Sequence, residues 1–530
     1  MKRGPVIHPF LFSLFPILAL YAYNIKSIPV PLGELPGPLA ASASCALVLF
    51  LAFRIAFKDP AKAGLLVSLL LLWFLSFGHV AGLVAVWTVG IFNRSLFFAT
   101  AILVGLVVFL IVRSRRTFVG LTKILNIVSA TLVILNLASV AQTLVRRPHV
   151  VLDREVNVSR QTAIHPNIYY IILDAYTRAD ILREVFSFDN TAFLSGLEAR
   201  GFTIADHSYA NYNLTLQSLA SSLNFTDLDD FARDVGGASS DREPLYGLIR
   251  ENRAMAFLKN QGYRLMTVSS SIEPTDIRSV DRYFGSEKSD SEFRTVLINT
   301  TPLPLFFGLG VEGSLYDAHR KRILNAFRAL KESSFEKGPF FFFAHLMCPH
   351  PPFVFGPNGE PVEPDYLFSM ADADRMHGAR EAAVRDYIVR YREQLAFLNK
   401  KILEAVDAIL SRSPEPPIII LQGDHGSRAY ADLDLPEVSY FKENLAILNA
   451  FHLPGGGREL VYPAISPVNT FRLIFKHYFG ANLGFLEDKS AWTTWRRPYR
   501  FLPFNEASYT PTLESGRANE KSKASTVQKR

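Results

Sequence analysis

Asp424 and His425 stand side by side between Gly423 and Gly426, directly after the apolar run Ile418 to Leu421. A carboxylate and an imidazole placed this way can hold a divalent cation. The short β-branched run reads as a buried strand that delivers them at its carboxyl end, where open α/β sheets place their ligands. The two glycines allow a sharp turn and a close approach to a ligand. Taken alone, the pair is equally consistent with two side chains hydrogen-bonded in a turn, so its partners must be sought elsewhere.

Two further apolar runs end in groups of the same kind. Pro166 to Leu173 closes on Asp174, and Phe340 to Ala344 closes on His345, with His350 following in Cys348-Pro-His-Pro-Pro. Asp174 alone could be a helix cap, and His350 alone a loop histidine. In a parallel sheet, however, three such strand ends share one edge and converge on one crevice. The combined donors, carboxylate oxygens and imidazole nitrogens, suit zinc or manganese.

A catalytic ion also requires a nucleophile, and Thr215 is the candidate. It lies in Asn211-Tyr-Asn-Leu-Thr215-Leu-Gln-Ser218, where a loop gives way to a helical pattern. A hydroxyl at a helix start faces backbone N–H groups and a dipole that favour an anion, and a bound metal would lower its pKa. The competing reading is an ordinary capping threonine. Thr177 is the other threonine close in sequence to a proposed ligand.

The elements that must position these groups begin after a long apolar region. Stretches near 9–23, 38–57, 65–88, 95–112 and 124–145 approach the roughly 20 residues needed to cross a bilayer. Residues 1–145 therefore read as a transmembrane domain of about five helices, the first short and interrupted by Pro16 but uncleaved. Lys2, Arg3, Arg54, Lys58, Lys62, Arg113, Arg115, Arg116 and Lys123 fall on one side of these spans, and only Lys26 and Arg94 on the other. The asymmetry puts the amino terminus in the cytoplasm, with Arg146 and Arg147 as a mild counter-signal. Everything after the fifth span is then external, which in a bacterium means periplasmic or extracellular, on a multi-pass protein of the inner (cell) membrane.

Residues 146–166 read as a linker, 167–504 as the catalytic domain and 505–530 as a polar, disordered tail. Within 167–504, strand-like runs at 167–173, 263–269, 339–346 and 417–421 alternate with helical patterns near 190–200, 215–224, 245–261, 317–332 and 378–410. This predicts an α/β fold, a mainly parallel sheet with helices on both faces. Cys45 lies in a span and Cys348 is the only thiol after it, so no disulfide can form within the external domain. The net charge of +7 is divided between cytoplasmic loops and the tail. That distribution argues for contact with anionic lipid and against nucleic-acid binding.

With these residues in place the chain resembles the alkaline phosphatase superfamily, in its sulfatase-like branch of membrane-anchored lipoteichoic acid synthases and lipid A phosphoethanolamine transferases. The resemblance spans roughly residues 165–480 and rests on the strand ending in Asp174, Thr215-x-x-Ser218, the His345 to His350 spacing and Gly-Asp424-His425-Gly. It implies that Asp174, Thr215, Asp424 and His425 hold one divalent ion and that Thr215 becomes the covalent acceptor. His345, at a strand end, and His350, in the Pro-rich loop after it, are expected to face the same crevice from outside the first metal shell and to bind the transferred phosphate or protonate the leaving alkoxide. There are departures. Sulfatases begin with two adjacent acids, whereas Ala175 follows Asp174 here, and the transferases have Glu where this chain has Asp174. Sulfatases also convert a Cys or Ser to formylglycine, which Thr215 cannot yield. The second histidine of some transferases has His452 as its nearest candidate.

The leading expectation is a metal-dependent transferase that moves a phospho-alcohol group, of phosphoethanolamine or phosphoglycerol type, from a phospholipid donor to a cell-envelope glycan or glycolipid acceptor. A phosphodiesterase, phosphomonoesterase or sulfuric ester hydrolase of the same fold is the enzymatic alternative. A non-catalytic glycan-binding or assembly module would predict loss of a ligand or of the nucleophile.

Overall fold

The computed structural model describes residues 4–26, 30–87, 93–146, 166–270, 272–285, 292–307, 315–363, 368, 381–436 and 439–505. The expected linker and tail lie almost wholly outside these. The chain divides into two compact units, residues 1–147 with 289–314, and residues 148–288 with 315–530.

Within residues 1–147 the described part of the first unit has five α-helices, α1 (His8–Asn24), α2 (Pro36–Phe57), α3 (Pro60–Trp87), α4 (Asn93–Arg113) and α5 (Val119–Arg146). Among the described residues four of them, α2 to α5, are long and apolar enough to cross a membrane. The sequence pattern predicted about five spans, and α1 is the exception. Its 17 residues rise only ~25 Å at 1.5 Å per residue. It packs on α2, α3 and α5.

Residues 289–314 belong to this unit although they lie between segments of the other. The helix Glu292–Asn299 sets Phe293 edge-on against Tyr21, and Arg294 pairs with Glu34 at 2.9 Å. Gly78 N–H donates to Thr300 O at 2.8 Å, and a Cβ at Gly78 would lie 2.0 Å from Asn299 O. Only glycine permits that approach.

The second unit is built on a seven-stranded sheet. Its strands are β1 (Ile168–Leu173), β2 (Thr203–Ile204), β3 (Arg264–Val268), β4 (Arg282–Phe284), β5 (Phe340–Leu346), β6 (Ile418–Gln422) and β7 (Asn449–His452), in spatial order β2-β7-β6-β1-β5-β3-β4. The strands from β6 across to β4 are parallel, and β7 and β2 add an antiparallel edge.

Alternation along each central strand divides its side chains between two faces. Tyr169, Ile171 and Leu173 share one core with Phe340, Phe342, Ala344, Ile419 and Leu421, covered by the helices Leu315–Ser333 and Glu381–Arg412. On the opposite face Tyr170 and Phe341 meet Phe471 of the helix Pro467–Phe479. Both faces are thus covered, which is why β1, β5 and β6 are buried throughout and read as continuous apolar runs.

Register positions the site. Ile172 of β1 lies opposite His345 of β5 and Gln422 of β6. Asp174 and Asp424 each lie two positions past that row, on the same sheet edge as His345. A polar tie fixes the alignment: Tyr170 OH donates to Gln422 Oε1 at 2.6 Å, and Gln422 Nε2 donates to Asn449 Oδ1 at 2.9 Å. These bonds are buried, so slipping one strand would strand several polar groups without partners.

The expected helix over 245–261 is two helices, Glu243–Arg250 and Arg253–Asn260. Asn252 divides them because its side chain accepts from Met255 N–H at 2.8 Å and so caps the second.

Candidate active site

Asp174 follows β1 directly, its N–H still donating to Leu346 O of β5 at 2.9 Å. The next residue, Ala175, has φ of 63°, a left-handed conformation costly for a residue with a Cβ. Two bonds hold it there: Ala175 N–H donates to Asp424 Oδ1 at 3.2 Å, and Tyr391 OH donates to Ala175 O at 2.8 Å. The chain reverses after the first carboxylate by leaning on the second.

The glycines that flank Asp424 and His425 act differently from the sequence expectation. Neither has positive φ. A Cβ on Gly423 would lie 2.6 Å from Tyr176 O, and one on Gly426 2.2 Å from Glu443 O. They make room for the protein's own backbone. Ser218 Oγ donates to Asp424 O at 2.6 Å, tying the loop to the helix Thr215–Asn224.

Asp174, Asp424 and His425 present ligand atoms within 4.8 Å of one another, all buried. His425 Nε2 is 3.5 Å from Asp174 Oδ1 and 3.6 Å from Asp424 Oδ2. His425 Nδ1 lies 2.8 Å from Gly426 O, a carbonyl that can only accept, so Nδ1 holds the proton and Nε2 faces the carboxylates with a lone pair. His345 Nε2 lies 3.2 Å from Asp174 Oδ2, while its Nδ1 meets Thr275 Oγ1 at 2.8 Å.

Burial, followed by the neighbouring Asp424, pushes the Asp174 carboxyl up to about 7. Burial lowers His345 and His350 to about 4 and His425 well below the usual imidazole range. The imidazoles are therefore neutral near pH 7. Both Asp174 oxygens, Asp424 Oδ2 and His345 Nε2 have no hydrogen-bond partner among the described residues. The converging carboxylate oxygens of Asp174 and Asp424, with His425 beside them, fit a divalent cation, which would satisfy these oxygens together.

Thr215 is the first residue of its helix, after the extended Leu214, and Leu214 makes no side-chain cap. The capping reading of Thr215 therefore does not apply. Its Oγ1 lies 3.3 Å from His425 Nε2. Residues 216–224 are buried and Thr215 is partly open, so its hydroxyl is the reachable end of a buried element. Thr177 is fully buried, and its Oγ1 lies 3.1 Å from Glu443 O and 3.0 Å from Ala446 O.

His350 reaches the crevice behind β5. Its N–H donates to Asp174 O at 3.0 Å, its ring centroid is 6.3 Å from that of His425, and its Nδ1 is committed to Pro351 O. Gln394 Nε2 donates to Pro349 O and His350 O, each at 3.2 Å, and fixes the loop. His452 lies apart from this group: it pairs with Ile419 near the start of β6, and its Nδ1 meets Pro417 O at 2.7 Å.

Three contributors were not singled out by the sequence reading. Arg428, 7% exposed, sets Nη2 3.0 Å from His425 Nε2. Glu443 accepts from Ser427 Oγ at 2.8 Å, Ala429 N–H at 2.5 Å and Tyr430 N–H at 2.8 Å, so it clasps the loop on both sides of Arg428. Thr275 orients His345. Arg428 could have been noticed from its place just after Gly-Asp-His-Gly-Ser; Glu443 and Thr275 arrive only through the fold.

No family model matches the chain, and no curated protein matches it. Solved structures do. The chain is similar to the C-terminal periplasmic domain of EcEptC from Escherichia coli in complex with zinc, at 10% identity and TM-score 0.45 over 69% of this chain and 99% of that one. It is also similar to the soluble domain of lipooligosaccharide phosphoethanolamine transferase A from Neisseria meningitidis, at 10% identity and TM-score 0.39 over 60% and 89% of the two chains. A 2-O GAG sulfatase matches at 13% identity and TM-score 0.39 over 61% of this chain and 72% of its own.

Proposed function

We propose that the protein is a membrane-anchored, metal-dependent transferase that moves a phospho-alcohol group from a phospholipid to a glycan or glycolipid acceptor through a phosphothreonine on Thr215. One observation carries the reading: the Thr215 hydroxyl, at the start of a helix, lies 3.3 Å from the imidazole nitrogen shared by the buried carboxylate pair. Asp174, Asp424, His425 and Thr215 would hold a divalent ion, zinc or manganese, which when bound supplies the Lewis acidity that makes the hydroxyl a nucleophile near neutral pH.

In the first step Thr215 Oγ attacks the phosphorus of the lipid phosphodiester, and the bond from phosphorus to the diacylglycerol oxygen breaks. The threonine proton passes to Nε2 of His350, a lone-pair nitrogen because Nδ1 serves Pro351 O, and then to the departing oxygen. In the second step an acceptor hydroxyl attacks the same phosphorus, its proton takes the same route, and Thr215 is restored. The N–H groups of the first helical turn and Arg428 face the developing negative charge. His345 orients Asp174.

The four apolar helices support access to a lipid donor, and the Lys and Arg asymmetry of their loops supports an external catalytic unit. The test is incubation of the purified full chain with vesicles of phosphatidylethanolamine and, separately, phosphatidylglycerol. Diacylglycerol release with a head-group phosphate adduct on the Thr215 peptide is expected. Absence of both, or an adduct elsewhere, overturns the reading. Release of free phospho-alcohol at a rate indifferent to added acceptor would mark a hydrolase.

A further inference from the structure

Three helix starts meet at one end of the first unit, and side chains serve the first N–H groups of two of them. At α1, Asn126 Oδ1 accepts from Ile7 N–H at 3.1 Å and His8 N–H at 2.9 Å, and Asn126 Nδ2 donates to Pro5 O at 2.8 Å. At α3, Asp59 Oδ1 accepts from Ala61 N–H at 2.9 Å and Lys62 N–H at 3.4 Å. The start of α5 is different. Its first turn contains no acidic residue, and the N–H groups of Val119, Gly120 and Leu121 have no acceptor among the described residues. Lys123 then adds a positive charge near the positive end of the helix dipole.

The three starts enclose a cavity of about 220 Å³, lined by residues 4–6, 59–61 and 117–119 and by Thr122, Lys123 and Asn126. Thr122 is 4% exposed, and its Oγ1 has no hydrogen-bond partner among the described residues. Thr100 and Thr143, elsewhere in this unit, return that bond to the preceding turn, at 2.9 Å to Leu96 O and Ser139 O. Lys123 has no carboxylate within ion-pair distance among the described residues, so Asp59 lines the same cavity without pairing with it. Only Oδ1 of Asp59 is engaged in the cap of α3, which leaves Oδ2 over. Uncapped N–H groups, a buried hydroxyl and an ammonium make a place for an anion, and the remaining carboxylate oxygen makes one for a cation.

We propose that this cavity binds the head group of a phospholipid that carries both a phosphate and an amine. The phosphate caps α5, facing the N–H groups of Val119 to Leu121, Thr122 Oγ1 and the Lys123 ammonium, and the amine meets Asp59 Oδ2. A head group without the amine would leave its negative charge facing Asp59 uncompensated. The source is a lipid because the cavity lies at the ends of membrane-length apolar helices, and Leu121, Ile124 and Val128 follow on α5 as exposed apolar side chains at helical spacing. The cavity contains no residue of the second unit. The 28 residues of α5, ~42 Å of helix, separate it from the end near residue 147 where the chain leaves this unit. The lipid is thus a resident of the helical unit, and its binding does not rest on the transferase reading.

The full chain, stripped of lipid in detergent, is titrated with dioleoyl phosphatidylethanolamine, dioleoyl phosphatidylglycerol and water-soluble phosphoethanolamine, and bound molecules are counted by native mass spectrometry. The parent should hold one phosphatidylethanolamine at least about tenfold more tightly than phosphatidylglycerol. Asp59→Asn keeps the Oδ1 acceptor for α3 and should erase that preference. Lys123→Gln should weaken both lipids. Thr122→Val removes an unpaired buried hydroxyl, so without lipid it should unfold at a temperature no lower than the parent, yet bind phosphatidylethanolamine more weakly. Comparison with these three variants separates this lipid from one held at the Thr215 site. No retained lipid in the parent, equal affinity for the two lipids, a preference for phosphatidylglycerol, or variants that bind like the parent overturn the proposal. Phosphoethanolamine bound as tightly as the lipid assigns the cavity to a free metabolite and equally overturns it. Diacylglycerol release reports on the transferase reading separately.

Discussion

Arg428 Nη2 lies 3.0 Å from His425 Nε2, and that nitrogen is the one left with a lone pair once Nδ1 has donated to Gly426 O. The lone pair can accept from the guanidinium or coordinate a cation, but not both. Arg428 is held near it by the clasp of Glu443 on Ser427, Ala429 and Tyr430. An ion bound at Nε2 would take the lone pair that now faces the guanidinium, so Arg428 would compete with the ion for this nitrogen.

Arg428→Met should accordingly tighten zinc binding while lowering turnover. Removing a positive charge a few ångströms from the ligand set, together with its competing hydrogen bond, is worth on the order of tenfold in affinity. A chelator-competition titration reads the affinity. Weaker zinc binding in the variant would show that Arg428 supports the ligands rather than competing with the ion.

Thr215→Ala should fold, retain most of its metal affinity and lose turnover by several orders of magnitude, as when a catalytic nucleophile is deleted. Thr215→Ser should keep part of the activity. Thr177→Ala should instead cost about 1–3 kcal/mol of stability, because it removes a buried donor shared by Glu443 O and Ala446 O. Activity measured beside thermal unfolding separates the two. Full activity in Thr215→Ala would eliminate it as the acceptor.

The strands that build the site were legible because each is buried on both faces and so reads as an unbroken apolar run, and the groups at their ends could be placed on one edge from parallel pairing alone. The helix at Thr215 was legible from its periodicity. Local pattern did not reveal β7, a short strand whose Asn449 completes the polar tie to Gln422 and Tyr170. Nor did it reveal Glu443 and Thr275, which act on residues far away in sequence. The glycines beside Asp424 were legible as special, but the reason, contact with Tyr176 O and Glu443 O, belongs to the tertiary structure. The helix α1 shows the opposite limit. Its 17 residues stand at the short end of what crosses a bilayer and it packs on α2, α3 and α5, so apolar composition alone does not separate a short span from a packed helix.

Topology has a direct test. A reporter enzyme active only outside the cytoplasm should be active when fused after residue 150 and silent when fused at residue 118, as the distribution of Lys and Arg among the loops requires. The reverse pattern would place the catalytic unit in the cytoplasm and remove the external donor from consideration.

Glu443 gives a prediction in pH. Burial pushes its carboxyl up to about 7 from the usual value near 4.5, and the hydrogen bonds from Ser427, Tyr430 and Ala429 recover only part of that shift. Between these two values the folded chain holds a proton that the unfolded chain has released. Stability therefore falls as pH rises from about 4.5 to about 7 and changes little beyond, by linkage. The buried histidines act with the opposite sign: His345 and His350, lowered to about 4, make stability rise with pH up to the ordinary imidazole value of about 6.5. A bare slope would mix the two effects. The difference between the parent chain and Glu443→Gln isolates the carboxyl, since the histidines are common to both. Followed by intrinsic fluorescence on metal-free protein in detergent, the unfolding temperature of Glu443→Gln relative to the parent should increase as pH is raised from about 4.5 to about 7. A difference that stays constant across that window would mean that Glu443 is ionised in the folded protein throughout, held as a carboxylate by its three donors.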